Sequence, residues 1–239
     1  MELHQFRHSA FCEKVRLILS FKGLEATLVE VTPGVGQLAL FRISGQRQVP
    51  VLVDGEEVIP DSTAIALHLE RRHPEPPLLP SEPLERARVL LLEDWADTAL
   101  AAGARLALLE AAAADPVLRA ALLPETTPAP LRSLVTALPG ALLTPVGEVL
   151  RESLGPCEAR QLRRNLEQLG ELVAAGPYLC GPRLSLADLA VAAQLSLLKF
   201  PACSGAPLAD RGVAGIADNP LHAPLFAWRD RILAEAGLR

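Results

Sequence analysis

Between Leu3 and Arg72 the hydrophobic positions change period several times, and each change predicts a new element. Leu3–Phe6 reads as a short strand. Phe11, Val15, Leu17, Ile18, Leu19 and Phe21 then recur at helical spacing, predicting a helix over Phe11–Lys22 that Gly23 stops. Ala26–Val31 is rich in strand formers, and Gln37–Ile43 suits a short helix. Val49–Val53 and Glu57–Ile59 flank Asp54-Gly55, two residues that both tolerate positive φ, so a hairpin is expected there. Asp61-Ser62 opens a further helix running to about Arg72. The order is β-α-β-α-β-β-α.

Residues 74–83, P-E-P-P-L-L-P-S-E-P, cannot sustain a helix or a central strand, because their prolines fix φ and remove backbone donors. Beyond them the period is helical: Leu84 to about Ala114, Glu158–Ala175, Leu186–Lys199 and Leu225–Ala236. The chain therefore divides into an α/β domain over residues 1–76, a proline-rich linker over 77–83 and an all-α domain over 84–239. Within the second domain, P-E-T-T-P-A-P at 124–130 marks a turn or loop with short helices expected on either side.

Composition narrows the function. Half of the 239 residues are hydrophobic, enough for a sizeable core, and with aromatics at 4% it must be filled by Leu, Val and Ala. The formal charge is −5 and no basic block or stripe occurs, which argues against nucleic acid as a partner. Cys12, Cys157, Cys180 and Cys203 are scattered, without zinc-ligand spacing, so neither a metal nor a disulfide framework is expected. The opening M-E-L-H-Q-F-R-H lacks the pattern of a signal peptide. The most apolar stretch, Ser133–Leu150, is broken by Pro139, Gly140, Pro145, Gly147 and Glu148, so no membrane span is expected. A cytoplasmic, reducing environment fits this usage.

The candidate chemistry begins at residues 7–16, R-H-S-A-F-C-E-K-V-R. Ser9 falls between a strand and an amphipathic helix, where unpaired N–H groups and the positive end of the helix dipole can stabilise an anion. Its hydroxyl could add a hydrogen bond to a thiolate; it could equally be an ordinary N-cap. Cys12, one turn on, is either a thiol with a lowered pKa or a small buried residue of the inner face. Val49-Pro50 starts a strand; a cis bond there would leave the Val49 backbone free to pair with an extended ligand, whereas a trans proline would simply begin the strand. Asp61-Ser62 offers N–H groups, a hydroxyl and a carboxylate at another helix start, suited to a ligand bearing both ammonium and carboxylate, or to capping alone.

Together, S-x-x-C at the first helix, V-P-V-L at a strand and D-S at the next helix resemble the N-terminal thioredoxin-like domain of glutathione transferases. R-H-S-A-F-C-E-K-V-R-L-I-L-S-F-K-G-L is similar to that family's first helix, especially in serine-type and omega-like members. Y-L-C-G-P-R-L-S-L-A-D-L-A-V-A at 178–192 resembles the entrance to its buried helix, with Ser185 and Asp188 spaced as an S-x-x-D capping box.

The resemblance implies a thioredoxin-like domain joined to an all-helical one, glutathione as co-substrate, and a homodimer. Ser9 would hydrogen-bond the glutathione sulfur, Val49 beside cis-Pro50 would pair with its cysteinyl part, Asp61 and Ser62 would hold the γ-glutamyl end, and Gln48 or Arg47 would reach the glycyl carboxylate. A small hydrophobic electrophile or a peroxide would lie near Trp95, Thr98 and Ala99, although Trp95 also suits a core position. Ala10 stands where that family has proline. Three functions share this frame: a glutathione transferase using Ser9, a glutathione-dependent thiol oxidoreductase using Cys12, and a non-catalytic scaffold or ligand carrier. An isomerase of the maleylacetoacetate type is a further member of the set.

Overall fold

In a computed structural model, residues 1–32, 36–124, 127, 129–137 and 155–238 are described. The apolar stretch Ser133–Leu150 therefore lies outside the described residues from position 138 onward, as do most of the loop at 124–128 and the side chain of Cys157.

The first half follows the expected order: β1 (Glu2–Gln5), α1 (Ala10–Phe21), β2 (Thr27–Glu30), α2 (Gly36–Ser44), β3 (Val51–Asp54), β4 (Glu57–Pro60) and α3 (Ser62–Arg72). The four strands form one mixed sheet in the order β2-β1-β3-β4, with β1 and β2 parallel and the other neighbours antiparallel. Leu3 on β1 and Leu52 on β3 face each other in register, and both are fully buried with Val15 and Ile18 of α1 and Ile65 and Leu69 of α3. Three details depart from expectation. The Val49-Pro50 pair precedes β3 instead of starting it. β1 begins one residue earlier than the apolar run suggests. The hairpin turns on Gly55 and Glu56, because Asp54 is already paired with Glu57. Only Gly55 of the two takes a positive φ, +65°, which is what a type II′ turn asks of its first central residue.

The second half is helical among the described residues apart from short turns and an isolated bridge: α4 (Pro83–Trp95), a π-helical turn (Ala96–Leu100), α5 (Ala101–Ala114), α6 (Pro116–Ala121), α7 (Ala129–Ala137), α8 (Gly155–Ala175), α9 (Leu186–Leu198) and α10 (Ala223–Glu235). The single helix expected from Leu84 to Ala114 is thus interrupted by the π turn. α6 and α7 are the short helices expected on either side of the 124–130 loop, although α7 recruits the last two residues of that stretch.

α9 carries L-A-D-L-A-V-A-A-Q-L-S-L-L, is apolar nearly all round, and is buried along its whole length. It packs against α1 on one side and α4, α5 and α10 on others, so it joins the two halves. The Leu186 N–H donates to the Leu78 carbonyl at 3.0 Å, tying its entrance to the segment after α3. Asp188 accepts from the Ser185 N–H (2.8 Å), the Ser185 hydroxyl (2.7 Å) and the Leu179 N–H (2.8 Å), closing the expected capping box. Burial nevertheless holds the Asp188 carboxyl above its ordinary range. Gly103 marks where α5 and α8 touch: a Cβ there would stand 2.9 Å from that of Leu162. No helix among the described residues is long and apolar enough to cross a membrane.

Candidate active site

Ser9 is the N-cap of α1. Its Oγ accepts a long hydrogen bond (3.4 Å) from the Cys12 N–H, and its own N–H is held by the Phe6 carbonyl at 3.0 Å. The hydroxyl proton is then available to a ligand, in line with the first-turn N–H groups that have no helical acceptor. The capping role and the anion-stabilising role are compatible.

Cys12 belongs elsewhere. Its side chain is completely buried, and its Sγ accepts from the Phe6 N–H at 3.4 Å. Burial pushes the thiol above its ordinary pKa, outweighing the hydrogen bonds from Phe6 and Ser9 and the charge of Arg16. Of the two alternatives for Cys12, this is the small buried residue of the inner face: the helix end favours the thiolate, but desolvation dominates.

A cavity of about 590 Å³ opens beside Ser9. Its lining includes Ser9, Arg47, Gln48, Val49, Pro50, Asp61 and Ser62. The Val49-Pro50 peptide is cis, and among the described residues no hydrogen bond engages the Val49 backbone. Asp61 sits at φ 78°, ψ 135°, a region nearly restricted to glycine that costs on the order of 1–3 kcal/mol. In that conformation its carboxylate caps α3, accepting from the N–H groups of Thr63 (2.9 Å) and Ala64 (3.0 Å).

Ser62 is buried, and its Oγ donates to Asp97 Oδ2 at 3.3 Å. That contact opens onto a charged cluster the sequence reading missed. Lys14 of α1, only 1% exposed, is paired with Glu93 of α4 (2.6 Å) and, more closely still, with Asp97 of the π turn. The Thr63 hydroxyl donates to Glu93 at 2.6 Å, while Asp97 Oδ1 is buried with no hydrogen-bond partner among the described residues. The spacing of Glu93 and Asp97, one helical turn apart, was the available signal; nothing in it pointed to Lys14.

Phe11 of α1, Arg105, Leu108 and Leu109 of α5, and Leu197 of α9 also line the cavity. Trp95, Thr98 and Ala99 do not line this cavity. Trp95 packs on the core, and the exposed Thr98 hydroxyl donates to the Asp94 carbonyl at 2.7 Å within its own helix. The cavity-facing part of this helical run begins after the π turn. Arg105, a lone cation in A-A-G-A-R-L-A-L-L, was the missed signal.

Comparison with known proteins bears on what this cavity serves. A family model described as the N-terminal domain of glutathione S-transferase matches residues 3–77, and one described as its C-terminal domain matches residues 133–231. The chain is 38% identical over 85 residues to a zeta-class glutathione S-transferase of Euphorbia esula, a match covering 34% of this chain and 38% of that protein. It is 37% identical over 94 residues to maleylacetoacetate isomerase of Pseudomonas aeruginosa, covering 37% and 44% respectively. The chain thus spans about two fifths of the length of the curated relatives it matches. Among solved structures, the beta-etherase LigF of Sphingobium sp. strain SYK-6 shares the fold with a TM-score of 0.72 over 99% of this chain and 96% of that one, at 24% identity. The class named by the Euphorbia esula relative is zeta, whereas the first-helix stretch suggested serine-type and omega-like members.

Proposed function

Because this chain belongs to the glutathione S-transferase family, we propose that it is a glutathione-dependent transferase in which Ser9 holds the glutathione sulfur as thiolate for attack on an electrophile or a peroxide. The observation that carries the reading is the position of Ser9: a capping serine with a spare proton at the N-terminus of α1, on the wall of the same cavity as Val49, Pro50, Asp61 and Ser62. Val49 offers an unpaired backbone to the cysteinyl part of glutathione, as an added strand would use it. The α3 N-terminus with Asp61 and Ser62 receives the γ-glutamyl end, and Arg47 or Gln48 the glycyl carboxylate.

The chemistry follows from charge. A thiol of pKa ~8.5 is mostly protonated at neutral pH. One hydrogen bond from Ser9 to the charged sulfur, worth about 1.5–3 kcal/mol, lowers that pKa by roughly 1–2 units, because a unit corresponds to ~1.4 kcal/mol. The proton leaves to solvent, and the thiolate forms the new bond to the electrophile as its leaving group departs. Cys12 takes no part, since its thiol is buried and held protonated. As in the rest of the family, a homodimer in the cytoplasm is the expected form.

A second reading, cis–trans isomerisation in which the thiolate adds to a double bond and is later expelled, is favoured by the matched isomerase. It uses the same Ser9 site.

Titrating the ultraviolet thiolate absorbance of bound and free glutathione tests both. A bound pKa at least one unit below the free value is expected, returning toward it in Ser9→Ala. Binding with an unshifted pKa removes the activating role of Ser9. Absence of binding leaves a scaffold or carrier on this fold.

A further inference from the structure

We infer that Arg105 selects the second substrate, and that the substrate is an electrophile with an apolar body and an anionic group, a carboxylate in the first instance. The inference rests on the transferase reading above and gives its electrophile a chemical class.

Arg105, an exposed side chain of α5, lines the cavity together with the apolar Phe11, Leu108, Leu109 and Leu197. Its guanidinium lies 4.9 Å above the Phe11 ring, and its Nε donates to the Ala101 carbonyl at 3.4 Å. Those two contacts orient the guanidinium plane while leaving both terminal nitrogens. Among the described residues no carboxylate pairs with it. Asp61, the acidic side chain on the cavity lining, is engaged with the start of α3. Arg47, the other arginine of the lining, stacks over Phe41 at the edge that serves the glycyl carboxylate.

An arginine held this way has a definite complement. Its planar fork matches a carboxylate with two parallel hydrogen bonds, and water excluded by an apolar ligand strengthens them. Phe11 lies two residues beyond Ser9, so a substrate stacked across the Phe11 side reaches Arg105 with its anionic end while its electrophilic carbon faces the sulfur. A neutral hydrophobic electrophile would fill the same wall and leave the guanidinium fork unused.

The test uses 4-chloro-3-nitrobenzoate and its methyl ester, which differ in the charge. In both, the glutathione thiolate forms a carbon–sulfur bond at the ring carbon that bears chlorine, the carbon–chlorine bond breaks, chloride leaves with the electron pair, and the thiol proton goes to solvent. The readout is the ratio of kcat/KM for acid to ester. Arg105→Met keeps an unbranched stem over Phe11 and is expected to lower that ratio about 10- to 100-fold, the value of a charge-assisted hydrogen bond. Arg105→Lys, charged but without the fork, should fall between.

An unchanged ratio overturns the inference. So does an equal loss for both substrates, which would place Arg105 at the thiolate, or a change confined to the KM for glutathione, which would place it at a glutathione carboxylate. Should Arg105→Met fail to fold, wild-type calorimetry decides: the acid conjugate S-(4-carboxy-2-nitrophenyl)glutathione must bind at least 10-fold more tightly than its methyl ester. That measurement also separates the two readings. Glutathione that binds without turnover sinks the transferase reading while the conjugates still judge Arg105, whereas absence of glutathione binding sinks both.

Discussion

Lys14 provides the sharpest test of what joins the two halves. Replacing it by Met removes the one cation from a cluster that holds two carboxylates, Glu93 at 2% and Asp97 at 13% side-chain exposure. Removing one partner of a buried pair typically costs about 3–5 kcal/mol, because the remaining charge is neither solvated nor compensated. Here two carboxylates lose the same partner. Some relief comes from the Thr63 hydroxyl on Glu93 and the Ser62 hydroxyl on Asp97, each worth about 1 kcal/mol as a hydrogen bond but already present before the change. We therefore expect Lys14→Met to cost at least about 3 kcal/mol, a large share of the ~5–15 kcal/mol that keeps a typical protein folded.

Urea denaturation followed by far-ultraviolet circular dichroism and by the fluorescence of Trp95 and Trp228 measures this. The two tryptophans lie on α4 and α10, so a disagreement between probes would reveal that the transition is not two-state. The control is the triple variant Lys14→Met, Glu93→Gln, Asp97→Asn, which removes every charge of the cluster at similar volume. It should recover most of the loss, since neutralising a buried ion cluster is often close to neutral in stability. A cost below about 1 kcal/mol for Lys14→Met would show that water or proton uptake relieves the carboxylates, and the argument from buried charge would be wrong. A triple variant as unstable as the single one would mean that Lys14 acts through packing.

Two more outcomes follow from the buried groups. Cys12→Ala should retain glutathione-conjugating activity within about twofold while losing ~1–2 kcal/mol of stability, since it empties a little core volume and strands the Phe6 N–H; loss of activity at unchanged stability would restore the thiol oxidoreductase. Glu13, which accepts from the Ser196 hydroxyl at 2.8 Å in the α1–α9 contact, has its carboxyl pushed up by burial. With the folded pKa above the unfolded one, the folded state holds the proton longer, so Glu13 costs nothing below the ordinary carboxylate range. It destabilises increasingly as pH rises from that range to the shifted value, and costs a constant amount above it. Glu13→Gln should accordingly match the wild type in acid and gain on it toward neutral pH in chemical denaturation, and a difference independent of pH would refute the cause.

How far the site was legible depended on whether its geometry is local. Ser9, the Val49-Pro50 pair and Asp61-Ser62 each announce themselves through a few adjacent residues: a hydroxyl before an amphipathic run, a proline before a strand, an acid and a hydroxyl before a helix. Chain order within one small sheet then brings them to a common edge. The buried alternative for Cys12 was legible as well, because positions 12, 15 and 19 form one stripe and Val15 and Leu19 are core. What escaped was phase carried across a break. The family resemblance placed the electrophile near Trp95, Thr98 and Ala99, ahead of and within the π turn, whereas the cavity takes Arg105, Leu108 and Leu109 from beyond it. The π turn at Ala96–Leu100 adds a residue, and one residue is about 100° of helix rotation, so every position after it faces a different direction from the one a regular helix would give. The same turn carries Asp97 to Lys14 and Ser62. A single irregularity thus couples two things the sequence keeps far apart: the buried charge that locks α1 to the helical half, and the helical face that presents Arg105 to the cavity. If that coupling holds, the Lys14→Met variant should show its loss not only in stability but in the acid-to-ester selectivity that Arg105 sets, while selectivity surviving at reduced stability would show the wall to be positioned by α9 and α8 packing alone.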